Sequence, residues 1–261
     1  MKKLLKIFFT TLFIIHCSSD VSPEDILSDN NGNEGGGGFT FGGTQTIPEL
    51  TVELISTYND QTASFATPYD SFTRNFIVHT PPNFDFQTES LPLLFVLHGY
   101  TGRASSIRDY SGFDQIADDE RFIVVYVQGT TDQFGNTGWN VNLVASFLGV
   151  DDVGFFKALI KYFKASYNID SNKIFSSGMS LGGFMSYRLA CELEEINSIG
   201  SVTGSMARYY QCNPPKKSSI IHFHGMNDAV VPYNGVEWSY SAKAAHDFWK
   251  NHNQCNSQNE I

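Results

Sequence analysis

One pentapeptide, Gly178-Met179-Ser180-Leu181-Gly182, restricts the fold of this chain more than any other feature. Residues 173–176 before it form a short β-prone run, and residues 181–193 after it carry an apolar helical pattern. A serine between a strand and a helix sits in a strained elbow that bulky neighbours would prevent from closing. Gly178, Gly182 and the adjacent Gly183 supply the small residues that such a turn needs. The helix start beneath the hydroxyl favours negative charge, so Ser180 is the predicted nucleophile and the Leu181 N–H a predicted oxyanion donor.

The rest of the chain repeats the strand–helix pattern. Residues 51–56 and 74–79 read as early strands. Residues 93–97 and 122–127 are unbroken apolar runs, as expected of strands buried on both faces. Residues 105–119 are predicted as one helix and 151–167 as another, capped by Asp151 and Asp152, with Val153, Phe156, Ile160, Phe163 and Tyr167 at helical spacing. A strand at 220–223 and a helix at 239–251 follow. Such alternation predicts an α/β fold with a mostly parallel central sheet and helices on both faces.

Two further turns complete the predicted site. His98-Gly99-Tyr100 follows the strand at 93–97, where the second oxyanion donor of such an elbow is expected. The Tyr100 backbone N–H is that candidate, and His98 is read as a residue that fixes the turn. After the strand at 220–223, Asp228 stands where an acid orients a histidine base. His222 and His224 share a face of that strand, but no third ligand at a convincing spacing accompanies them, so no metal and no cofactor are expected. The base itself is not found. Only His246 and His252 follow Asp228, both in or at the end of a predicted helix. The chain is therefore expected to be truncated at its C-terminal side, before a further strand and a histidine loop.

The 261 residues divide into three expected parts. Residues 1–17 open on Lys2 and Lys3 and continue as an almost unbroken apolar run from 4 to 15, a secretory signal too short for a membrane span. Cys17 closes that run and is a candidate for lipidation of the bacterial lipoprotein type, a plainly cleaved signal being the alternative. Residues 18–48 are rich in Asn and Gly and read as a flexible tether. Residues 49–261 form the predicted catalytic domain, with a composition 41% hydrophobic that supports a large core. The net charge of −10 argues against a nucleic-acid partner, which needs clustered Lys and Arg. Cys191 and Cys212 are candidates to bridge the loop after the Ser180 helix; Cys255 is then left over, and Cys212–Cys255 pairing stays open.

Several motifs together resemble the polyhydroxybutyrate depolymerase and feruloyl esterase-like secreted hydrolases, in the neighbourhood of carbohydrate esterase family 1. They are residues 74–79 before a proline, His98-Gly99, Gly138-Trp139-Asn140, residues 150–155, residues 178–183, residues 189–192 and His222-Phe223-His224-Gly225 with Asp228. The resemblance implies an α/β-hydrolase fold and hydrolysis of a carboxylic ester through an acyl-enzyme. Its substrates would be a polyester or feruloyl or acetyl esters of polysaccharide, outside the cytoplasm, with no cofactor. Trp139 is a candidate substrate-binding residue, able with Tyr100 and Phe134 to stack on sugar rings, buried aromatic packing being the alternative reading. A peptidase of the same fold and a non-catalytic surface binding protein are the competing readings.

Overall fold

The structure, a computed structural model, describes residues 71–255 continuously, with side chains from 73, together with the backbone of Leu12–Ile15, Thr51–Leu54 and Asp60–Ala66. Cys17 and the tether at 18–48 lie outside the described residues, as does the expected signal apart from Leu12–Ile15.

Eleven strands and five α-helices are described: β1 (Leu12–Ile15), β2 (Thr51–Leu54), β3 (Asp60–Ala66), β4 (Ser71–His79), β5 (Leu91–Leu97), α1 (Ala104–Ser111), α2 (Phe113–Glu120), β6 (Ile123–Val127), β7 (Thr130–Thr131), β8 (Thr137–Gly138), α3 (Asp152–Ser166), β9 (Ile169–Met179), α4 (Leu181–Glu192), β10 (Ser198–Val202), β11 (Ser219–Phe223) and α5 (Ala242–Asn253). The main sheet has the order β1-β11-β10-β9-β5-β6-β4-β3-β2. The five strands from β11 to β6 are mutually parallel, and the strands outside them are antiparallel. All parallel strands end at one edge of the sheet, so the turns after β5, β9 and β11 gather there.

Alternation along β5 builds both sides of the core. Leu93, Phe95 and Leu97 face α3 and α4, with Phe95 edge-on to Phe156 at 5.4 Å between ring centroids. Leu94 and Val96 face Ala104, Ile107 and Ala117 of α1 and α2. The helix predicted over 105–119 is two helices, because Gly112 adopts φ 68° and serves as the C-cap of α1 and the N-cap of α2. The first amide of α1 has no cap from its own segment; the Gln128 side chain, arriving from the end of β6, accepts from Ala104 N at 2.9 Å. β9 runs well beyond the predicted 173–176, and β10 was not predicted, its Ser-Ile-Gly-Ser-Val sequence carrying a weak strand signal.

The paired acids at the start of α3 divide their work. Asp151 is the N-cap and accepts from Gly154 N at 2.9 Å. Asp152 is buried and receives Arg74 Nη1 from β4 at 2.8 Å and the Asn140 amide at 2.6 Å. The Arg74 guanidinium also lies 4.6 Å from the centre of the Phe155 ring. Asn140 in turn donates to Leu148 O and Val150 O, which folds the segment between β8 and α3 back on itself.

Cys191 at the end of α4 is disulfide-bonded to Cys212, and Cys255 is disulfide-bonded as well. Cys255 is therefore not the unpaired thiol expected from the sequence, and Cys212–Cys255 pairing is ruled out.

Removal of one member of a buried ion pair strands the other charge in low dielectric, a loss of about 3–5 kcal/mol. Asp152→Ala is expected to lower unfolding stability by about that amount, while Arg74→Met combined with Asp152→Leu loses distinctly less. Urea unfolding midpoints of the two variants check this; equal losses would show that the charge pair is not the source.

Candidate active site

Ser180 joins β9 to α4 with φ 52° and ψ −120°, a conformation that a residue with a side chain adopts only when its surroundings enforce it. The surroundings are backbone. A methyl group on Gly178 would overlap the Gly182 carbonyl, one on Gly182 the Leu97 carbonyl oxygen, and one on Gly183 the Ser201 hydroxyl. Ser180 N donates to Val202 O of β10 at 2.8 Å, and Ser180 O accepts from Gly183 N and Phe184 N as α4 begins. The elbow is thus clamped between β5, β10 and its own helix.

The β5 turn lies directly against it. The Cβ position of Gly99 is 3.4 Å from Ser180 Cβ. Gly102 N donates to Gly99 O at 3.0 Å and Thr101 N to Thr137 O at 2.7 Å, whereas the Tyr100 and Leu181 amides donate to no acceptor among the described residues. His98 fixes this turn. Its Nε2 accepts from Gly129 N at 2.9 Å, so its proton is on Nδ1, which donates to Gly99 O at 2.7 Å. Burial pushes the His98 pKa below its usual value, the bond to Gly99 opposing the shift.

A cavity of about 420 Å³ opens over the elbow, lined by Ser180, Tyr100, Leu181, Phe184, Trp238 and other apolar groups. The segment after β8 contributes Leu143 and Val144, and the turn after β11 contributes Val230 and Val231. Ser180 is partly exposed there, and its hydroxyl makes no hydrogen bond among the described residues. Asp228 is not itself in the lining. Its Oδ1 accepts from Val230 N at 2.8 Å and Val231 N at 2.9 Å, so the carboxylate braces the turn that forms this wall. Asp228 Oδ2 is 3.8 Å from His224 Nε2, beyond hydrogen-bond distance.

Trp139 is fully buried, its ring beside His98 and Phe156 and its N–H donated to His98 O at 2.8 Å. It supports the β5 turn from below and has no face to offer a sugar ring, which corrects the stacking role expected of it. Trp238 is the tryptophan in the cavity wall. Its Glu-Trp-Ser context carries no sequence signal, and only the return of residues 236–239 beside residue 207 brings it there. Phe134 is exposed at the tip between β7 and β8, away from the cavity lining.

Among the described residues no histidine lines the cavity. His246 bonds to neighbouring Asp247 at 3.2 Å and His252 to Lys216 O at 3.0 Å, both on α5. His222 and His224 are hydrogen-bonded to each other, and no group of three or more metal-ligating side chains occurs among the described residues.

No family model matches the chain. It is 28% identical over 173 residues to a bifunctional acetylxylan esterase/xylanase of Neocallimastix patriciarum, an alignment covering 63% of this chain and 23% of that protein. It is 29% identical over 167 residues to feruloyl esterase B of Piromyces equi, covering 62% of this chain and 30% of that one. The chain thus spans less than a third of either relative. Among solved structures, a thermostable esterase superposes with a TM-score of 0.50 at 19% identity, over 68% of this chain and 49% of the other. The architecture is that of the α/β-hydrolases, and the esterase resemblance read from the motifs is matched by these relatives.

Burial also drives the His222 pKa down, to about 3, helped by neighbouring His224 and His246. A histidine held neutral in the fold takes up its proton preferentially when unfolded. Its contribution is intact above about pH 6.5 and is lost as the pH falls toward 3, with a slope of up to about 1.4 kcal/mol per pH unit. Stability is therefore expected to drop between about pH 7 and about pH 5, and His222→Gln to reduce that slope. Urea unfolding of both proteins at the two pH values measures it; an unchanged slope would show that His222 is not the titrating group.

Proposed function

We propose that this chain acts as a serine esterase with Ser180 as its nucleophile. One observation supports this above the others: a hydroxyl without a hydrogen-bond partner, held at φ 52° on the rim of an apolar cavity, beside two amides that donate to nothing among the described residues. Ser180 Oγ attacks the ester carbonyl, and its proton passes to a general base. The amides of Tyr100 and Leu181 stabilise the oxyanion, a type of contribution worth about 10²–10³ in rate per donor. Collapse of the tetrahedral intermediate expels the alcohol, which takes a proton, and leaves an acyl-enzyme on Ser180 that water hydrolyses. Asp228 orients the base through a carboxylate oxygen.

The proposed substrates are acyl esters of plant polysaccharide, in line with the feruloyl and acetylxylan esterase names of the relatives; a polyester is the other class that the motif resemblance suggests. Leu143, Val144, Phe184 and Trp238 suit the acyl portion. Residues 1–17 are proposed to direct the chain out of the cytoplasm. A binding protein on the same scaffold is a second reading, favoured by the lack of a histidine in the cavity lining among the described residues.

Covalent capture of a fluorophosphonate probe and hydrolysis of short p-nitrophenyl esters are expected of the wild-type chain, with turnover measured with and without added imidazole as an external base. Both are lost in Ser180→Ala. Equal capture in wild type and variant would defeat the assignment, and absence of capture in wild type would favour the binding protein.

A further inference from the structure

A line of buried polar groups runs from α4 to the Asp228 turn. Tyr187 Oη is 2.7 Å from His222 Nδ1, His222 Nε2 is 2.9 Å from His224 Nδ1, and His224 Nε2 is 2.7 Å from Val231 O. All three side chains are buried.

The chemistry of the last atom orders the protons of the line where each imidazole carries one N–H. A backbone carbonyl only accepts, so His224 Nε2 carries hydrogen. A neutral imidazole has a single N–H, so His224 Nδ1 accepts, and His222 Nε2 is the donor to it. His222 Nδ1 then accepts in turn, and the Tyr187 hydroxyl donates. Burial keeps that hydroxyl protonated, raising its pKa well above the usual value, and keeps His222 neutral. The line is therefore a one-way series of donors pointing from the helix into the turn.

Its end point is informative. Val231 has its carbonyl held by His224 and its amide held by Asp228 Oδ1, and its side chain is in the cavity wall. Because the His224 proton goes to Val231 O, Asp228 Oδ2 at 3.8 Å is left outside that bond. Tyr187 lies seven residues beyond Ser180, two turns along the helix that Ser180 starts. The other groups facing the line are Tyr210 near Tyr187, Tyr233, edge-on to His224 at 5.9 Å, and His246 of α5, near His222.

We propose that Tyr187, His222 and His224 are positioning residues, a proton-ordered strut that sets the Asp228 turn relative to the Ser180 helix and leaves one oxygen of Asp228 turned to the base. This rests on the reading of Asp228 as the orienting acid.

The test uses the full chain labelled with ¹⁵N. Long-range ¹H–¹⁵N correlations at neutral pH are expected to show the Nε2–H tautomer for both His222 and His224, against the Nδ1–H tautomer for His98 as an internal contrast. Amide hydrogen exchange at Val230 and Val231 is expected to rise at least about tenfold in Tyr187→Phe and in His224→Leu, with Val124 and Val125 of β6 unchanged. His224→Gln, which keeps an N–H donor near Val231 O, restores slow exchange. An Nδ1–H tautomer on either strut histidine overturns the proposal whether or not the variants fold, as does unchanged exchange in both variants. Fluorophosphonate capture at Ser180, followed in the same samples, separates the two ideas: its failure in wild type counts against the hydrolase reading and leaves the strut result standing.

Discussion

The close approach of backbone to backbone at residue 180 is the constraint on which the rest of the site depends. A serine at φ 52° is unfavourable by about 1–3 kcal/mol and persists only where the neighbouring structure over-determines it. Here β5, β10 and the first turn of α4 converge on it so tightly that Gly178, Gly182 and Gly183 have no room for a side chain. The same convergence puts the Gly99 turn against Ser180 and leaves the Leu181 amide, first in its helix, without an intrahelical acceptor. Strain, proximity and unpaired donors are one geometric fact seen from three sides.

The cavity walls come from loops, and each is tied to the core by hydrogen-bonded polar groups or by a disulfide. Asp152 on α3 gathers Arg74 and the Asn140 amide, fixing the segment that carries Leu143 and Val144. The Cys191–Cys212 disulfide ties the loop bearing Tyr209 to the end of α4. Asp228 and the Tyr187–His222–His224 line brace Val230 and Val231. Apolar contacts alone do not discriminate well between loop positions, since they are non-directional. Hydrogen bonds to defined backbone atoms do, and α3 and α4 supply the rigid base from which they act.

How far the site was legible in the sequence depended on how local its signal was. The elbow and the β5 turn are marked by residues within a few positions of one another, and glycine spacing reveals them, although the bonds that hold His98 and Thr101 reach to Gly129 and Thr137. Asp151 as a helix cap was legible for the same reason. Asp152 beside it was read as a second cap, because its partner Arg74 is 78 residues away. Trp139 looked like a stacking platform, yet its ring and its N–H are consumed by Phe156 and His98. The break at Gly112 was missed because a single glycine within an otherwise helical pattern does not by itself end a helix.

By itself the sequence determined the alternation of strands and helices, the parallel core of the sheet and the place of Ser180 at its edge, since periodicity and glycine placement act over one or two turns of chain. Only the tertiary structure decided which tryptophan is packed inside and which faces the cavity, which acid caps and which pairs, and which groups His222 and His224 meet. Those outcomes depend on groups brought together across β4, β5, β10 and β11, and burial and hydrogen-bond direction exist only once those distant segments meet.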